Sequence, residues 1–199
     1  MTHKPNQRLS AEDWIKAAFC SLSSDGINAV KAEVLAKQLK STKGSFYWHF
    51  KDVPTFKREM LKQWEAEATA AIKTEVMTTG QQGQERLQIL VQLVSQLNTV
   101  NEYGGLQAEP SIRAWAQNDT LAATALRRID DMRMDFVCSL FIESGQSAKE
   151  ARERSELFYS CFVGLQAMAA NASIDILPRM QMLLRLLLLP EDDHQAKGD

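Results

Sequence analysis

The chain carries little that would cross-link it or interrupt its helices. Its three cysteines, Cys20, Cys138 and Cys161, stand far apart with no CxxC pair. That argues against a disulfide framework or a thiolate zinc site and fits free, apolar thiols in a reducing compartment. Prolines number only five, so long segments run without a break. The apolar run Leu186–Leu189 is bounded by Arg185 and Pro190, far short of the ~20 residues a membrane-spanning helix needs. The first residues, MTHKPNQRLS, contain no apolar core of a secretion signal. A cytoplasmic protein without a membrane partner is the expectation.

Catalytic signatures are equally scarce. His3, His49 and His194 are dispersed, and there is no HExxH, no GxSxG and no phosphate-cradling glycine loop. Cys138 and Cys161 have no histidine near them in sequence to activate a nucleophile. The carboxylate pair Asp130–Asp131 lies among Arg127, Arg128 and Arg133 and reads as solvated ion pairs. No enzyme activity and no cofactor are expected.

What is present is charge asymmetry and helical periodicity. The net charge is −2. Residues 1–62 hold eleven Lys and Arg against six Asp and Glu, whereas residues 63–199 hold twelve against nineteen. A basic N-terminal segment on an acidic body suggests that one end meets a polyanion.

Ser10 with Asp13 reads as a capping box, followed by a stripe of Ile15, Ala18, Phe19 and Leu22 that Ser-Ser-Asp-Gly ends at 23–26. Val30 to Leu39 places Val34, Leu35 and Leu39 on one face. Asp52 and Pro54 open a helix that runs through Phe56, Met60 and Trp64 to about Met77. After a loop at 78–83, Leu87, Leu90, Val91, Val94 and Leu97 mark another helix, closed by Gly104–Gly105. A short segment with Ile112 and Trp115 follows Pro110. A long helix over 121–142 stops near Gly145. Ser147 and Glu150 cap a helix to about Asn171, and a last helix spans about 175–189. The expected architecture is all-α with about nine helices and no internal repeat.

Between two of these helices lies KSTKGSFYWHFKD, Lys40 to Asp52. A helix of about ten residues, a tight turn and a second short helix describe a helix-turn-helix. Phe46 and Phe50, at i and i+4, then face inward, against Phe19, Ile27, Leu35 and Leu39. The opposite face carries Thr42, Lys43, Ser45, Tyr47, Trp48 and His49. Gly44 costs helix stability of about 1 kcal/mol relative to Ala, which makes sense where another surface must come close. Such a helix could present its polar face to phosphates and base edges in a major groove. A small helical corner with a wet aromatic patch is the other reading of the same residues.

Residues 10–62 resemble the N-terminal DNA-binding domain of the TetR (tetracycline-repressor) family of transcription regulators. The resemblance lies in AAFCSLSSDGINAVKAEVLAKQL, Ala17 to Leu39, then in TKGSFYWHFKD, Thr42 to Asp52, and then in an acidic-capped helix beginning at Val53. Lys40 stands where the family has Gly in the turn, and Ser41 where it has a β-branched apolar residue. The resemblance implies a three-helix DNA-binding domain over residues 1–52 (core 10–52) and a helical ligand-binding and dimerisation domain over 53–199. It implies that Thr42 and Lys43 meet phosphate or base edges, that Gly44 lets the DNA approach and that Ser45 faces the groove. Tyr47 and His49 would reach phosphates through the hydroxyl and a ring nitrogen. Trp48 would read a thymine methyl or pack on sugar, and Lys51 would anchor the DNA backbone. Lys31, on the preceding helix, completes the set.

The remainder of the chain agrees with a dimerising body. Leu157, Cys161, Leu165 and Met168 form one stripe of the 147–171 helix. The last helix, with Ile176, Leu177, Met180, Leu183, Leu184, Leu186, Leu187 and Leu188, is apolar nearly all round and so must be covered on both sides. A dimer interface of Leu157, Cys161, Leu165, Met168, Leu177, Met180, Leu184 and Leu187 is expected. Candidate walls for a small effector are Trp64, Tyr103, Trp115, Met132 and Phe136, with Glu109 and Arg113 as polar anchors. The sequence reads as a homodimeric regulator of double-stranded operator DNA, a repressor released by a small molecule. A helical interaction module without DNA binding, or an enzyme, are the competing readings.

Overall fold

The structure is a computed structural model that describes residues 9–96, 103, 107–169, 172 and 174–189. The expected stop at Gly104–Gly105, Leu97, the expected end at Asn171, His3 and His194 lie outside the described residues. Among the described residues there are ten α-helices: α1 (Ala11–Asp25), α2 (Ala32–Gln38), α3 (Lys43–His49), α4 (Val53–Glu65), α5 (Ala71–Thr79), α6 (Gly83–Gln96), α7 (Ala108–Ala116), α8 (Thr120–Glu143), α9 (Ala148–Ala169) and α10 (Ile176–Leu187). A single 3-10 turn (Ile27–Ala29) follows α1, and a π-helical stretch (Ala66–Ala70) joins α4 to α5. The expected helix from Asp52 to Met77 is therefore one rod with a π-helical stretch inside it. Pro110 lies within the first turn of α7 instead of before the helix.

The chain divides into two compact units. The first lies within Met1–Glu75 and Gln96–Arg133. Its α1 starts at a capping box: Ser10 N–H donates to Asp13 Oδ2 (2.7 Å) and Asp13 N–H to Ser10 Oγ (3.2 Å). Trp14, Ile15, Ala18, Phe19 and Leu22 are buried along one face. Gly26, at φ 75°, ends the helix and donates to the Leu22 carbonyl. The core continues through Leu35, Phe46, Phe50, Phe56, Met60 and Trp64 to Ile112, Trp115 and Ile129. Val34 departs from expectation: Leu35 is fully buried but Val34 is 39% exposed, because neighbouring residues of a short helix point about 100° apart.

The second unit lies within Val76–Ser95 and Met134–Asp199. Gly83 starts α6 so close to the end of α8 that an added Cβ would lie 2.6 Å from the Leu140 carbonyl oxygen. Arg86 fixes the same corner, with Nη1 2.7 Å from Glu143 Oε2 and Nε donating to the Gly80 carbonyl. Gly145 (φ 95°) follows α8, and the Ser147–Glu150 box opens α9. Asp175 caps α10 by accepting from Leu177 N–H. Along α9 runs α10, with Ile176, Met180 and Leu184 buried. Arg154 and Gln146 donate to the Leu187 carbonyl at its C-terminal end. Among the described residues no helix is long and apolar enough to cross a membrane.

Candidate nucleic-acid interface

Two short helices and the turn between them build the site. α2 closes in a Schellman motif: Ser41 N–H donates to the Ala36 carbonyl (2.8 Å) and Lys40 N–H to that of Lys37 (3.2 Å). The motif needs a left-handed residue, and Lys40 supplies it at φ 51°. A glycine would adopt that conformation without strain, so Lys40 occupies a glycine position.

Thr42 then caps α3, its Oγ1 accepting from Ser45 N–H (3.2 Å). The hydroxyl hydrogen stays available to an outside acceptor. Phe46, fully buried, pins the inner face of α3, and its ring lies 5.4 Å from Trp14 and 5.0 Å from Phe56. Phe50 also points inward, but from the cap position after the helix instead of from within it. Trp14 is a central aromatic of this core that the stripe beginning at Ile15 omits; its i, i+4 spacing to the buried Ala18 is the signal that finds it.

The outer face is bare. Tyr47 is 52% and Trp48 64% exposed, a large apolar area to leave in water on two adjacent residues. Thr42, Lys43 and Gly44 are exposed, as are Lys31 at the cap position of α2 and Lys51 after α3. Ser45 is half-buried. A Cβ on Gly44 would meet nothing closer than Thr42 Oγ1 at 3.6 Å. Internal packing therefore does not require glycine there. Lys43 Nζ lies 3.8 Å from Glu33 Oε2, both side chains being exposed. Glu33 is not legible as a neighbour of the site in the sequence, because the pair joins two helices whose relative register only the turn sets.

His49 is half-buried, and its Nε2 is 2.9 Å from the Leu9 carbonyl oxygen, so that ring nitrogen is engaged within the chain. Leu9 is forty positions away, and no local pattern could have revealed the contact.

The residues expected to anchor an effector pair with charges of their own chain. Glu109 is buried, and Arg113 Nη2 binds its Oε1 at 2.7 Å and Asp130 Oδ1 at 2.8 Å. Arg133 Nη1 binds Glu109 Oε2 at 2.8 Å, donates to Thr69 Oγ1 and lies 5.5 Å from the centre of the Trp64 ring. Glu109 and Arg113 thus satisfy one another, and Asp130 belongs to this partly buried network instead of a solvated surface pair. Trp64 and Trp115 are buried, Phe136 is half-buried, and Met132 is exposed. Tyr103 donates to Glu12 Oε1 (2.9 Å) and packs edge-on against Phe19. Burial first, and the Glu12 carboxylate second, push its phenol above the usual tyrosine value.

The residues expected at a dimer interface divide in two. Leu157 (60%) and Met168 (59%) are exposed on α9, while Cys161, Leu165, Leu177 and Leu187 are half-buried. Met180 and Leu184 are buried against their own chain, and the exposed side of α10 is Met182, Leu186 and, just beyond it, Leu189. Cys20 is exposed, Cys138 and Cys161 are half-buried, and burial raises the Cys161 thiol.

No family model matches the chain, and no curated protein matches it in sequence. Its fold does match solved structures over nearly its full length. A TetR transcriptional regulator from Legionella pneumophila superposes with a TM-score of 0.76 at 13% identity, over 91% of this chain and 98% of the other. A TetR-family regulator from Streptomyces coelicolor gives 0.74 at 12% identity, over 89% and 93%. A putative transcriptional regulator from Saccharomonospora viridis, in complex with choline, gives 0.73 at 15%, over 93% and 96%. The all-α chain has the fold of the TetR-type regulators.

Proposed function

We propose that this protein is a DNA-binding transcription regulator of the TetR type, acting as a homodimer in the cytoplasm. The observation that carries the reading is the outer face of α3. It exposes Tyr47 and Trp48 beside Lys43 and a glycine that nothing inside the chain requires. Phosphate contacts by Lys31, Thr42, Lys43, Tyr47 and Lys51 position the helix, and Ser45 and Trp48 meet base edges or methyl groups. The division of labour falls at residues 52 and 53. Residues 1–52 touch DNA, and the remainder carries dimerisation and effector binding.

Two α3 helices must sit about 34–36 Å apart to enter successive major grooves on one face of the duplex. A small effector that prefers another separation weakens operator binding by its differential affinity for the two states. That makes a repressor released by its ligand the simplest mechanism. Within the first unit, Trp64, Tyr103, Trp115 and Met132 are the candidate walls for that effector. The Saccharomonospora regulator, which shares this fold, is in complex with choline, which supports an effector site in this chain.

The test is DNA binding by the full chain to duplexes enriched from a random-sequence library and to DNA flanking its own coding region. Lys43→Ala should keep the fold and lower the slope of log affinity against log salt by about 0.9 per phosphate contact, roughly 1.8 per dimer. Tyr47→Phe should keep the fold and weaken binding. Enrichment of no sequence by the unaltered protein overturns the reading.

A further inference from the structure

Between Lys31 and Lys51 stand five lysines and one carboxylate, Glu33. A carboxylate on a surface that meets phosphates costs repulsion, so something must offset it. Glu33 lies in the first turn of α2, and its side chain is 58% exposed. Lys43 is the first residue of α3, and its Nζ lies 3.8 Å from Glu33 Oε2. That separation makes an ion pair outside the hydrogen-bonding range of about 2.7–3.2 Å, so the pair itself uses no acceptor site of the carboxylate. The turn fixes this juxtaposition, through Ser41 N–H on the Ala36 carbonyl and the Thr42 cap on Ser45 N–H. In a helix-turn-helix the N-terminal residues of the second helix are the ones that reach base edges. Glu33 therefore stands where α3 would enter the groove.

Resting on the DNA-binding reading above, we propose that Glu33 is a specificity-determining residue of the interface. Its carboxylate accepts from the N4 amino group of a cytosine in each half-site, with Lys43 beside it on the adjoining phosphate. Cytosine N4 is the donor that carboxylates select in the major groove, whereas guanine N7 and O6 and thymine O4 are acceptors that a carboxylate rejects. The three donors of Lys43 Nζ serve Glu33 and a phosphate together, and the lysine charge offsets the repulsion between them. Over a wrong base the carboxylate finds no donor and its repulsion remains, so the same residue weakens non-specific binding. A carboxylate in the first turn also complements the dipole of α2, but that effect acts on stability and is blind to base sequence.

The experiment uses the full chain and a random-sequence duplex library, selected in parallel by the parent, Glu33→Gln and Glu33→Ala. The parent should enrich half-sites with a fixed cytosine, and replacing that base should weaken its binding about 5–150-fold. Glu33→Gln should enrich adenine at the same position, because an amide pairs with adenine N6 and N7. Glu33→Ala should accept any base there, keep the other positions and bind unrelated duplexes more tightly than the parent. Both variants should keep the parent's slope of log affinity against log salt, which Lys43→Ala lowers. Selection of one and the same site by all three proteins overturns the proposal and leaves a carboxylate that only repels phosphate. A slope in Glu33→Gln as low as that of Lys43→Ala overturns it too, because Glu33 then merely holds the lysine. If the parent enriches no sequence at all, the DNA-binding reading fails and this proposal falls with it.

Discussion

Trp14 and Phe46 meet edge to face, with ring centroids 5.4 Å apart and planes at 78°. The contact joins α1 to the inner face of α3, and Phe46 also touches Phe50 and Phe56 at 5.3 and 5.0 Å. Aromatic pairs of this kind add about 0.5–1.5 kcal/mol beyond their buried area, and Phe46 sits at the centre of four, the ring of Tyr47 being the fourth partner. Phe46→Ala should therefore destabilise the N-terminal helices by roughly 3–5 kcal/mol. Trp14 fluorescence followed through denaturation checks it, and a midpoint equal to the parent's would deny Phe46 its central place.

Gly44 offers a variant in which stability and binding should move in opposite directions. A Cβ there meets only Thr42 Oγ1 at an ordinary 3.6 Å, and replacing helical Gly by Ala contributes about 0.5–1 kcal/mol. Gly44→Ala should melt higher than the parent and bind operator DNA more weakly. If affinity is unaltered, the glycine does not serve an approaching surface.

Lys40 holds the left-handed position of the turn between α2 and α3 at φ 51°. A side chain in that conformation costs about 1–2 kcal/mol relative to glycine, offset in part by the greater freedom of unfolded glycine. Lys40→Gly should raise stability by up to about 1 kcal/mol, as measured by urea denaturation. A loss of stability would show that the lysine side chain makes a contact worth more than the strain.

These residues also show where structure is legible in sequence. Caps are local, so Ser10–Asp13, Asp52 and Ser147–Glu150 are readable, and the helix starts follow from them. The two faces of α3 are readable from spacing, because a short helix leaves few ways to bury Phe46. Contacts that depend on tertiary register are not. The Leu9–His49 bond spans forty positions. The Glu109–Arg113–Asp130–Arg133 network draws on two helices. An all-apolar helix such as α10 does not declare which side faces its own chain, so its pattern alone does not tell buried Met180 and Leu184 from exposed Met182 and Leu186.

Acid should loosen the helix starts. Backbone and then side-chain hydrogen bonds from Ser10 hold Asp13 below the usual carboxylate value. The Ser147 hydroxyl does the same for Glu150. A group whose native value is lowered contributes stability that is present above its unfolded value, near 4, and lost as pH falls through the native one. Stability should therefore drop below about pH 4, and Ser10→Ala, which removes a donor to Asp13, should flatten that drop. An identical acid limb in the two proteins would show that the capping box does not govern it.

The dimer prediction follows from which side of each helix is already occupied. Ile176, Met180 and Leu184 are buried at 0–4% exposure, so one face of α10 is used within the chain. Met182, Leu186 and Leu189 at 56–58%, with Leu157 and Met168 on α9, are left to water. Burying each such side chain is worth about 1.5–3 kcal/mol, enough in sum to favour association after its entropic cost. Placing a carboxylate among them costs several kcal/mol. Leu157→Glu and Leu186→Glu should each yield a folded monomer by light scattering. Operator affinity should fall steeply, because the two half-sites are no longer engaged by one linked particle. Leu184→Glu should behave differently, losing cooperative melting because the charge enters the chain's own core. A dimer that survives both Leu157→Glu and Leu186→Glu at the parent's concentration dependence would mean that association runs through another surface.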